Sequence, residues 1–250
     1  MRKYSLILLM SLTSFIAGAQ EDGEYKEASK TSKAYREYRL YESVPPYGLK
    51  KVQGLISKIV SEDKEMEDGG TAALDTKTYN TLSFREKFTY HMIHGETYSQ
   101  ICDVFPPLQD EEKKIFGYLP DILREDTWSE NQKVFFKNNK DSVMALIKEC
   151  VIKSNRVGVN FKRAIIEMNA VEMIPFLIST YNKQKKDGDI LTLLNLLMLE
   201  NKYDPFLKSA THNKLYTEEH NYTAFITFNK ANEELIIKRA NEFYTSVAKR

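Results

Sequence analysis

Charge of one sign does not dominate this chain. It carries 36 Lys and Arg against 35 Asp and Glu. With no basic excess to neutralise phosphates, nucleic acid is not an expected partner. Glycine is scarce, with ten residues in the whole sequence. None stands in a phosphate-cradling loop, a dinucleotide-binding turn or a nucleophile elbow. Long apolar runs are missing from the body of the chain. The richest stretch, Ile190 to Leu199, is interrupted by Thr192 and Asn195. It falls well short of the roughly 20 residues of a membrane span and reads as a buried core helix. Acidic pairs are common, for example Glu111-Glu112 and Glu218-Glu219. They are read as solvated helix faces, because catalysis by such a pair needs a cleft that splits the two pKa values.

Cysteine is nearly absent too. Cys102 and Cys150 are the two in the sequence, and both fall in apolar helical patterns. They form either one disulfide, worth about 4 kcal/mol in a loop of that length, or two small free core residues. A chain this long buries roughly 70% of its unfolded surface and needs no covalent staple.

What is present is most informative at the start. Met1-Arg2-Lys3 is basic, Tyr4 to Ile16 is short, uncharged and mostly apolar, and Ala17-Gly18-Ala19 is small. That order is a secretory signal peptide cleaved after Ala19. The expected route is the Sec pathway and the expected destination the periplasm or the medium. No cysteine follows the small residues, so no lipid attachment is expected.

Gln20 to Ser43 is polar, with Tyr35, Tyr38 and Tyr41 spaced as one helix stripe. It is expected to be a weak surface helix or a mobile arm. Leu49, Val52, Leu55, Ile56, Ile59 and Val60 recur at helical spacing. Gly69 to Asn80 lacks periodicity and reads as a linker. Ser83-Phe84-Arg85-Glu86 and Ser129-Glu130-Asn131-Gln132 are capping boxes, each opening a helix. The first helix runs to about His94, with Gly95 as a left-handed exit. Further helices are expected to about Phe105, over Leu108–Leu119, Ser142–Lys153, Phe161–Met168 (capped by Asn160), Val171–Tyr181, Ile190–Glu200, after Asp204-Pro205 and over the C-terminal segment. Asn221 to Asn229 alternates like a strand but has no evident partner, so it is read as helix or ordered loop. The expectation is all-α, with roughly eight to eleven short helices. The domains follow: signal peptide 1–19, polar arm and amphipathic helix 20–68, linker 69–82, helical domain 83–250.

Ala170-Val171-Glu172-Met173-Ile174-Pro175-Phe176-Leu177-Ile178, then Asp187-Gly188-Asp189 and the leucine-rich Ile190 to Leu199, resembles one HEAT-type repeat. The resemblance spans about residues 165–205. It implies antiparallel helix pairs stacked around an elongated core, a binding surface and no catalytic residue. No second copy recurs at a fixed period, so an irregular HEAT-like stack or helical bundle with an N-terminal helical arm is expected.

His91 and His94 are the sharpest chemical candidates. Three apart on a helix, they share a face and point to a metal site, with Glu96 and Cys102 nearby. The competing reading is structural: His91 in the core and His94 at a helix end. Fifteen Tyr, thirteen Phe and the single Trp128 suit either core filling or a binding surface, with Trp128 and Tyr181 as its candidates. The expected function is an exported, non-catalytic binding or scaffold protein without cofactor, whose partner is another protein. The alternatives are a periplasmic immunity-type protein that neutralises a toxin, and a metal-dependent enzyme using His91 and His94.

Overall fold

The computed structural model describes residues 27–62, 72–101, 106–122, 124–217 and 222–248. The signal-peptide segment and Cys102 lie outside these residues. Among the described residues the chain is mostly helical, as expected, with a few very short strands.

In chain order the helices are α1 (Lys30–Leu40), α2 (Leu49–Glu62), α3 (Thr76–Asn80), α4 (Phe84–Ile93), α5 (Glu130–Asn138), α6 (Lys140–Ser154), α7 (Val159–Glu167), α8 (Ile174–Gln184), α9 (Gly188–Glu200), α10 (Asp204–Leu207), α11 (Ala210–Tyr216) and α12 (Lys230–Ala248). Both capping boxes form: Ser83 with Glu86 starts α4, and Ser129 with Gln132 starts α5. α8 begins later than the sequence pattern suggests, at Ile174, with Pro175 in its first turn. There the missing proline N–H leaves no hydrogen bond unmade. Residues 171–173 form a separate 3-10 turn. Asn160 does not cap α7 from outside. Gly158 takes that place, and Asn160 sits within the first turn, buried. The stretch read as a linker contains α3, capped by the Asp75 side chain, and Ala72 and Leu82 on either side of it are buried.

Four expectations are corrected. Residues after Gly95 do not continue as helix: β1 (Thr97–Tyr98) pairs antiparallel with β3 (Asp126–Thr127). Gly95 is not a left-handed exit either. Of the described glycines only Gly48 has positive φ. A Cβ at Gly95 would lie 2.8 Å from the Thr127 carbonyl oxygen, so the glycine permits close approach to β3. The helix expected over Leu108–Leu119 is a 3-10 turn, Glu111–Lys113, running into β2 (Lys114–Phe116). β2 is the partner that the alternating segment lacked. It pairs antiparallel with β4 (Phe225–Thr227), with Ile115 opposite Ile226.

α9 is the core. Ile190, Leu191, Leu193, Leu194, Leu197 and Met198 are all buried. It packs against α7, α8, α10, α12 and β2. A smaller cluster of Val52, Leu82 and Tyr90 joins α2 to α4.

Candidate functional site

The site begins with how α1 is held. Its charged face is not on the surface as expected. Arg36 and Arg39 are buried, as is Glu111, which was read as solvated. Arg36 Nε donates to both Glu111 carboxylate oxygens, at 2.8 and 3.0 Å. Arg39 bridges Glu111 at 3.2 Å and Asp189 at 3.0 and 3.1 Å. Its guanidinium also stacks 3.9 Å from the centroid of the Phe116 ring. Burial works against the Arg39 charge, but Asp189 and Glu111 outweigh it and its pKa rises. Beside this network, Lys162 Nζ donates to Asp187 at 2.7 Å, both side chains buried. Burial still pushes the Asp187 carboxyl above its ordinary value, with Lys162 opposing. Three cations and three carboxylates thus balance under α1, as buried charges must.

Tyr35 completes the attachment. Its hydroxyl accepts from the Gly188 N–H at 3.2 Å, at the start of α9. Burial, then Asp189, raises its pKa, so it remains a neutral phenol.

With α1 so placed, a trough of about 620 Å³ opens between it, the turn after α8 and the end of β4. Thr31, Ala34, Tyr35 and Tyr38 of α1 form one wall. Phe228, Glu112, Lys30, Lys185 and Lys186 complete it. The Lys186 ammonium lies 4.6 Å from the Tyr38 ring centroid. Arg156 stacks on the same ring at 4.1 Å. Burial, then Asp187, pushes the Tyr38 phenol up to about 12, so it offers a neutral O–H. Lys185 adopts left-handed backbone at the end of α8 (φ 49°) and bonds Glu233 at 2.7 Å. The lining can bind through aromatic area and positive charge.

The chain matches no family model, no curated protein and no solved structure.

His91 and His94 lie in a different place, where α4 meets α5. Gln132, fully buried, organises it. Its Oε1 accepts from the Glu96 and Ser129 backbone N–H groups at 3.0 and 3.1 Å. That fixes the amide orientation and leaves Nε2 to donate to His91 Nδ1 at 3.0 Å and to the His94 carbonyl at 2.9 Å. His91 Nδ1 is therefore an acceptor, and Nε2–H donates to the Tyr79 hydroxyl at 2.8 Å. Both ring nitrogens are engaged. Burial, followed by the nearby His94 and Lys87 charges, lowers its pKa to about 3. His94 Nε2 bonds the Ala72 carbonyl. Glu96 accepts from Tyr90 at 2.8 Å and from Ser129. Among the described residues no three His, Cys, Asp or Glu side chains converge as a ligand set.

Trp128 and Tyr181, candidates for either core filling or a binding surface, are both buried. The Trp128 indole N–H donates to the His91 carbonyl at 2.7 Å, and its ring packs edge-on to Phe136. Tyr181 lies in the main core. Cys150 carries a free, buried thiol 3.7 Å from the Tyr47 hydroxyl. Cys102, its disulfide partner in one of the two readings, is outside the described residues. The sequence signal for the trough was the tyrosine stripe together with the Lys185-Lys186 pair.

Proposed function

We propose that this chain is an exported, non-catalytic binding protein that holds a partner protein in the trough beside α1. The observation that carries the reading is the trough itself: aromatic residues and three lysines, with a wall fixed by buried ion pairs. Concave, largely apolar surfaces with a few convergent polar groups are the usual form of binding sites. The basic, apolar, small-residue order of residues 1–19 supports export. In the same reading α8 and α9, which pack on each other across a tight turn, are one antiparallel pair of an irregular HEAT-like stack, and α1 is the arm that closes one side.

Two measurements test this. Sequencing the N-terminus of protein recovered from an envelope fraction should begin at Gln20; an intact Met1 would refute export by cleavage. A photo-reactive benzoylphenylalanine at position 34 should form a defined adduct in the native envelope. The same group at position 152, exposed on α6, should not. Equal labelling at both positions, or none at position 34, would refute docking in the trough.

A further inference from the structure

The charge of the trough names the chemistry of its occupant. The chain as a whole is near neutral, yet among the described residues three lysines line this surface against one carboxylate, Glu112. That carboxylate is engaged by the Ser32 hydroxyl at 3.1 Å. Lys185 has Glu233 as partner. Lys30 and Lys186 have no carboxylate within ion-pair distance among the described residues. Between these cations lie Ala34, Tyr35, Tyr38 and Phe228. A ligand that fits therefore carries negative charge outside and apolar or aromatic surface inside.

An extended peptide does this naturally, because successive side chains point to opposite sides. An aromatic or aliphatic residue flanked by acidic ones sets its apolar side chain on the tyrosines and turns its carboxylates to the rim. A concave trough does not meet a flat bilayer. A free phosphate leaves the aromatic wall unused.

Resting on the docking reading above, we propose that the trough recognises an extended acidic segment of a partner protein, with an apolar or aromatic residue between carboxylates. The test is fluorescence anisotropy with a dye-labelled hexapeptide of Glu residues around a central Tyr, beside its Gln counterpart, on the full mature protein. The Glu peptide should bind at least about tenfold more tightly than the Gln peptide, as expected when two or more ion pairs are lost. Added salt should weaken it. The double substitution Lys30→Glu and Lys186→Glu should abolish the preference with an unchanged circular dichroism spectrum. Lys77→Glu, on exposed α3, should leave it intact. Tyr38→Ala should weaken both peptides alike.

Equal binding of the two peptides, or binding of neither, overturns the inference. So does sedimentation with phosphatidylglycerol vesicles without peptide binding, or a concentration-dependent dimer that Lys30→Glu dissolves. If the position-34 adduct forms while the acidic peptide fails, docking stands and the acidic chemistry falls. If neither forms, both fall.

Discussion

Lowering the pH from 7.5 to 5 should remove about 2 kcal/mol of stability through His91 alone. The folded imidazole has a pKa of about 3, against an ordinary value of 6.5. Between those values the unfolded chain takes up a proton that the folded state refuses. Stability is therefore complete above 6.5 and is lost progressively as pH falls toward 3. At pH 5 the folding equilibrium is shifted toward the unfolded chain by a factor of about 30, which is about 2 kcal/mol. The structural reason is specific. Burial opposes the charge, and Nδ1 faces an amide donor of Gln132 that cannot turn, because its Oε1 is held by two backbone N–H groups.

The assay is urea unfolding of the wild type and of His91→Phe at pH 7.5 and pH 5, followed by far-UV circular dichroism. The variant loses two hydrogen bonds and is less stable at both values. The gap between the two proteins should narrow by about 2 kcal/mol at pH 5, because only the wild type carries the proton linkage. A gap that stays constant would refute the reasoning. So would an NMR titration of the His91 ring in the folded protein with a midpoint near 6.5.

Other substitutions probe the rest of the fold by the same denaturation assay. Asn160→Ala should cost about 3 kcal/mol or more: its amide accepts from the Ser43 N–H at 2.9 Å and donates to the Ser43 and Met92 carbonyls at 2.8 and 2.9 Å. A loss under about 1 kcal/mol would mean that these groups find other partners. Asn195→Leu should stabilise by about 1–3 kcal/mol, because neither amide atom of this buried side chain has a hydrogen-bond partner among the described residues; destabilisation would refute that account. Glu111→Gln removes the buried carboxylate that Arg36 and Arg39 share, while Arg39 keeps Asp189, and should cost about 3 kcal/mol, with trypsin cleavage within α1 appearing first; an unchanged midpoint would show that α1 is not held by charge.

Local rules read well from the sequence wherever the partner is close by. Ser83 and Ser129 each announce a helix start because the capping partner lies three residues on. The apolar spacing of α2, α9 and α12 marks them as helices. The reading fails where the partner is distant. Tyr222 to Phe228 alternates as a strand should, but its complement is Lys114–Phe116, a segment too short to show its own period. Gly95 looks like a helix exit, and only the backbone of β3 gives it another role. Gln132 is legible as a capping residue, yet its bonds to His91 and His94 depend on how α5 lies against α4.

The same distance hides the site. Tyr35 and Tyr38 are visible as a stripe, but the sequence gives no sign that the residue between them is an anchor. Arg36 finds Glu111 75 positions away, and Arg39 finds Asp189 150 positions away. An arm rich in charge and poor in aliphatic residues reads as mobile because its favourable contacts are electrostatic and lie outside any local window. Buried ion pairs of this kind add little net stability, since desolvation offsets attraction, but a misplaced helix would strand several charges at once. That fixes α1 in one register and sets the tyrosine wall before any ligand arrives. On the proposed docking, a partner would meet a surface already ordered and would not carry the entropy cost of assembling it. The charged arm and the trough are on this account one device, and if the proposed docking holds, loosening α1 through Glu111 should weaken it even though Glu111 does not line the trough.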